Sequence, residues 1–236
     1  MLDAGAVSKT RSRFVNRKKT MANIIRIDFP QNQYVREKTA KTQIVLHHTA
    51  SGPSVDGDVA WWRKTPERVA THFIIDRTGQ IYQLFDLDYW AYHLGLSNKD
   101  FQKVNVPYRP LDRNTIGIEI DSWGFLEKSA GGVYYPWGKV NKTKPVTAVK
   151  EYCSGNPWRG HTLYEKYTNE QINALRDLLR ELCNEFAIPK RYNIDMWGVS
   201  SNALKGTPGI WTHASYRSDK SDCHPQEELC NMLKML

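Results

Sequence analysis

Seven histidines stand at positions 47, 48, 72, 93, 161, 213 and 224. Hydrolysis assisted by a zinc ion needs three protein ligands drawn from histidine, cysteine or carboxylate, with a fourth position left to water. His47, His213 and Asp222 are the candidates that fall at expected strand ends or in adjoining loops. Spacing alone does not select them, because a histidine beside apolar residues is commonly a hydrogen-bonded structural residue. Glu119 lies in Thr-Ile-Gly-Ile-Glu-Ile, where alternation sets it opposite Ile116, Ile118 and Ile120. A carboxylate there can face a cleft and act as general base, or it can face solvent on an edge strand.

These residues need a frame. Residues 42 to 47 form a short run rich in β-branched residues, which predicts a buried central strand ending at the histidines. Ser51 to Asp58, with its Gly, Pro and Asp, reads as a loop, and residues 59 to 69 as a helix interrupted near Pro66. Residues 72 to 76 and 80 to 85 flank a Gly79 turn as a hairpin. Residues 121 to 164 show no helical period and read as an insertion. Residues 168 to 186 carry the strongest helical signal: Thr168 and Gln171 make a capping box, and Ile172, Leu175, Leu178, Leu179 and Leu182 share a face. A strand is expected at 195 to 199, a loop around Gly206 to Gly209, and a closing helix from Gln226. The expected class is α/β, without internal repeats.

The chain has 236 residues and a net charge of +8, five units of which come from the first twenty residues. The remainder is only mildly basic, which argues against a nucleic-acid face. Residues 1 to 20 are expected to be a basic, disordered extension, with Met21 an alternative start, and 21 to 236 a single catalytic domain. No run reaches the length of a signal peptide or membrane span, so neither export nor membrane insertion is expected. The four cysteines lack CxxC spacing and are expected to be free, with Cys183 in the core.

Ile44-Val45-Leu46-His47-His48-Thr49-Ala50 resembles the opening motif of the zinc amidase and peptidoglycan-recognition-protein family. Matching segments follow in order: Thr71-His72-Phe73-Ile74-Ile75-Asp76, Trp90-Ala91-Tyr92-His93-Leu94-Gly95, Asn114 to Glu119, Thr212-His213-Ala214, and Asp219-Lys220-Ser221-Asp222. The resemblance covers roughly residues 42 to 236, outside the insertion.

It implies a central mixed β-sheet flanked by helices, with zinc in a surface groove held by His47, His213 and Asp222. Cys223 competes with Asp222, because the family's third ligand is usually followed directly by proline and here Pro225 comes later. Glu119 becomes the general base and Lys220 the cation beside the developing oxyanion. His93 and Thr71 become substrate contacts, although some phage-lysozyme members carry a catalytic tyrosine where this chain has Thr71. Apart from the resemblance, Trp61, Trp62, Trp123 and Trp137 fall in expected loops around the cleft, where their flat faces can pack on sugar rings or apolar peptide parts, or else in the core, with Trp62 the expected substrate contact. The implied reaction is hydrolysis of the amide joining N-acetylmuramic acid to L-alanine in bacterial peptidoglycan. With no signal peptide and no wall-binding repeat, the chain looks similar to a monomeric phage or prophage endolysin held in the host cytoplasm until release, and a bacterial recycling amidase would look much the same. A non-catalytic wall-binding module and a zinc peptidase acting within the stem peptide are the alternatives.

Overall fold

The computed structural model describes residues 24 to 236. The basic extension and the alternative start at Met21 lie outside the described residues. Five strands precede the insertion: β1 (Ile24–Arg26), β2 (Gln43–His48), β3 (Phe73–Ile75), β4 (Ile81–Gln83) and β5 (Thr115–Ile120). The insertion holds β6 (Leu126–Lys128), β7 (Tyr134–Pro136), β8 (Val149–Glu151) and β9 (Leu163–Glu165), and β10 (Gly209–Thr212) follows it. The helices are α1 (Val55–Trp62), α2 (Asn98–Gln102), α3 (Asn169–Phe186), α4 (Ser201–Leu204) and α5 (Glu227–Lys234).

One mixed sheet runs in the order β1-β4-β3-β5-β2-β10. The β3/β4 pair is antiparallel, and β3, β5, β2 and β10 run parallel. Every residue of β2 and β5 is buried, as befits central strands covered on both faces. Alternation along β3 shows the two layers: Phe73 and Ile75 enter the larger core with Ile44, Ile118, Leu179 and Leu182. Ile74 enters a smaller one with Val55, Val59, Trp62 and Phe85. Helix α3 lies over the larger core. It starts with the expected capping box, in which the Thr168 hydroxyl accepts from Gln171 N at 3.1 Å and the Gln171 side chain accepts from Thr168 N at 3.0 Å.

Three local expectations fail. Helix α1 begins at Val55, inside the stretch read as loop, because the Ser54 hydroxyl caps it by accepting from Gly57 N at 3.2 Å. Residues 195 to 199 form turns rather than a strand. Asp195 accepts from the Ser200 hydroxyl at 2.6 Å and from Asn202 at 3.1 Å, and these local bonds compete with a sheet ladder. The strand forms instead at β10, starting from the last glycine of the expected loop, where Ile210 and Trp211 pair with Ile44 and Val45. Sheet pairing there overrides the Gly and Pro signals.

The insertion folds as two antiparallel hairpins, β6/β7 and β8/β9. Its base is tied to the sheet by Arg77, which contacts Asp121 at 2.6 Å and Glu165 at 2.7 Å. All four cysteines are free, and Cys183 is buried. Among the described residues no helix is long and apolar enough to cross a membrane.

Candidate metal centre and groove

Parallel strands deliver their carboxyl ends to one edge of a sheet, and functional groups collect there. His47 is the fifth residue of β2 and pairs with Glu119 across β5. The register Thr212 to Leu46 then sets His213, the next residue, alongside His47. Asp222 returns from the following loop, and its carbonyl accepts from Ala214 N at 3.0 Å.

His47 Nδ1 lies 3.1 Å from His213 Nδ1 and 3.0 Å from Asp222 Oδ2, and His213 Nδ1 lies 2.9 Å from the same oxygen. The surroundings fix which ring nitrogens carry protons. His213 Nε2 donates to the Leu94 carbonyl at 3.0 Å. The Thr115 hydroxyl donates to the Asp112 carbonyl at 3.1 Å, so it accepts from His93 Nε2 at 2.7 Å. His93 Nδ1 therefore accepts from His47 Nε2 at 2.9 Å. Both histidines turn a bare Nδ1 lone pair toward Asp222.

The electrostatics agree. Burial, followed by the neighbouring His213, pushes the His47 imidazole down to about 4. Two lone pairs and a carboxylate oxygen thus converge with no proton between them, an arrangement that repels itself and suits a cation. A tetrahedral zinc site with bonds of about 2.0–2.1 Å separates its ligand atoms by about 3.3 Å, close to the spacing here. His47, His213 and Asp222 form the metal-compatible group found among the described residues. Cys223 is not part of it: its thiol is buried against Tyr167, and burial raises it well above its ordinary value.

Glu119 stands beside this cluster, 8% exposed, and its Oε2 has no hydrogen-bond partner. Burial, then the charges of Asp222 and Asp58, hold its carboxyl well above the usual range, with Lys220 opposing them. Two hollows flank the site. One, about 190 Å³, is lined by Tyr92, Gly95, His213, Arg217 and Lys220. The other, about 460 Å³, is lined by Thr49, Ser51, Ser54, Asp58, Trp61 and Glu119.

Of the residues expected to meet substrate, His93 lines the smaller hollow and Trp62 the larger. Thr71 is 1% exposed and donates to the Phe73 carbonyl at 3.1 Å, so it braces the sheet. Trp62 is 6% exposed and packs in the smaller core, whereas its neighbour Trp61 is 60% exposed. Both ring nitrogens of His93 are spent on His47 and Thr115. His48 and His72 lie outside the cluster and bond Tyr167 and the Tyr89 carbonyl. Asp58 was missed because its stretch reads as loop. Once α1 is seen to start at Val55, Asp58 and Trp61 fall three apart on one helical face.

A family model described as N-acetylmuramoyl-L-alanine amidase matches residues 37–225. Among solved structures, PlyL superposes with a TM-score of 0.51 at 14% identity, covering 90% of this chain and 98% of its own. A mutant endolysin from Bacillus subtilis superposes with a TM-score of 0.52 at 17% identity, covering 91% and 98%. At those identities the likeness is one of fold. No curated protein matches the chain in sequence.

Proposed function

Because the chain belongs to the N-acetylmuramoyl-L-alanine amidase family, we propose that it cleaves the amide between N-acetylmuramic acid and the first L-alanine of the peptidoglycan stem, with His47, His213 and Asp222 as its zinc ligands. The observation that carries this reading is the convergence of two unprotonated imidazole nitrogens and one carboxylate oxygen beside an unpartnered, buried glutamate.

Zinc at these ligands supplies Lewis-acid chemistry, polarising the scissile carbonyl and lowering the pKa of water. The chain's own groups complete the reaction. Glu119 takes a proton from the attacking water as its oxygen bonds the carbonyl carbon. It returns that proton to the nitrogen as the carbon–nitrogen bond breaks, leaving a lactyl carboxylate and a free L-alanine amine. Its raised affinity for a proton suits the second half of this exchange. Lys220 offers a positive charge to the carbonyl oxygen as negative charge gathers there. The fold shared with PlyL and with a mutant endolysin from Bacillus subtilis supports extending the proposal to an endolysin of phage or prophage origin.

Purified cell wall tests the reading. The expected result is release of new L-alanine amino termini, abolished by a chelator and restored by zinc. Glu119→Gln should cut the rate by about 10²–10⁴-fold while zinc stays bound. Asp222→Ala should lose the zinc. Fragments with new termini inside the stem peptide would reassign the chain as a peptidase, and wall binding without cleavage would make it a recognition module.

A further inference from the structure

Beside Glu119, the 460 Å³ hollow between α1 and the 49–54 loop holds a carboxylate that the bond-breaking step leaves unused, Asp58. Asp58 Oδ2 is buried and has no hydrogen-bond partner, and the Oε2 of Glu119, itself more than nine-tenths buried, is equally unpartnered. Both residues line the same space. Burial lifts the Asp58 carboxyl to about 6, with Ser51 and Arg77 opposing the rise. Orphaned buried acceptors cost free energy until a donor reaches them, so this cavity is set up for a ligand that brings N–H or O–H groups. The exposed indole of Trp61 lies on the same rim and offers a flat apolar face. The Asp58 carboxylate disfavours an anion on this side. The hollow on the other side of the metal ligands carries Arg217 and Lys220 instead.

The two ends of the substrate differ in the same sense. The stem peptide is acidic, whereas the glycan brings acetamido and hydroxyl donors on neutral rings. We propose that the hollow lined by Asp58 and Trp61 is the sugar subsite, with the acetamido N–H of the N-acetylated amino sugar on the Asp58 carboxylate and its methyl group against Trp61. This rests on the amidase reading for the identity of the substrate. It adds that the polarity of the two hollows sets the direction in which the substrate lies, with the glycan toward α1 and the stem toward Lys220.

The test uses the zinc-loaded enzyme and three probes that present no scissile bond: the peptide-free disaccharide of N-acetylglucosamine and N-acetylmuramic acid, its de-N-acetylated counterpart, and the free stem peptide. Calorimetry gives the Kd of each. The disaccharide should bind, and Trp61→Ala and Asp58→Ala should each weaken it roughly tenfold or more without changing the Kd of the peptide. Asp58→Asn, which keeps the side-chain volume and a carbonyl acceptor, should lie between wild type and Ala. The de-N-acetylated sugar should bind roughly tenfold more weakly. An unchanged disaccharide Kd in both variants overturns the subsite. So does tighter binding of the de-N-acetylated sugar, which would mark an ammonium site, or selective loss of the stem peptide. Release of L-alanine termini from wall, measured in parallel, separates the two readings. Sugar binding without release sinks the amidase assignment alone, and release with sugar binding indifferent to both variants sinks the subsite alone.

Discussion

A single proton decides whether His47 can serve as a ligand. Its Nδ1 is free only because Nε2 donates to His93, whose other nitrogen is held by Thr115 and, through it, by the Asp112 carbonyl. The Asp112 carboxylate also fixes the His93 backbone by accepting from His93 N and Leu94 N at 2.8 and 2.9 Å. His93→Phe fills the same space and removes the acceptor, so zinc affinity measured by chelator competition should fall about 10–100-fold in a protein that still folds. His93→Gln, which restores an acceptor for His47, should recover part of that loss. An unchanged zinc affinity in His93→Phe would show that the ring only packs. At this scale the sequence was legible where a motif named residues that the fold then gathers, as His47, His213 and Asp222 with Glu119 beside them. It was not legible where the role depends on which atom a neighbour occupies. Nothing in the order of residues says that His93 faces the back of His47, or that of two adjacent tryptophans on the hollow Trp61 is exposed and Trp62 also packs into the core.

The elements were legible where local and tertiary forces agree. Helix α3 has a cap, an apolar stripe and a left-handed terminus at Ala187, and all three point to one boundary. Thr168→Ala should therefore cost about 1 kcal/mol. That corresponds to about 2–4 °C in the melting temperature of a protein this size, read by circular dichroism, with the metal centre untouched. A fall of less than a degree would mean that tertiary packing alone sets the start of the helix. Strand β10 is the opposite case. It is four residues long and preceded by Gly206 and Pro208, and its only argument for extension is the open edge of β2. That edge lies 163 residues earlier in the chain, counting from Leu46 to Gly209, and no local window contains it. The strand nonetheless carries His213 into register, so the least predictable element is the one on which the ligand geometry depends.

Across the whole molecule, the proposed ligands come from β2, the residue after β10 and the loop beyond it, so a bound cation would clamp parts of the chain that only the folded state brings together. Zinc at a hundredfold excess over its Kd should add about 2.7 kcal/mol of stability, or about 5–10 °C in melting temperature. The increment should vanish in Asp222→Ala. A melting temperature indifferent to zinc in the wild type would argue that no ion is held there.

The three ligands are not equally accessible. The His47 and His213 side chains are 3% and 7% exposed, and the Asp222 side chain is 14% exposed. The imidazoles are backed by Leu94, His93 and Thr115. In the zinc-bound state proposed above, the carboxylate would be the ligand that solvent reaches first, and exchange of the ion would begin on that side.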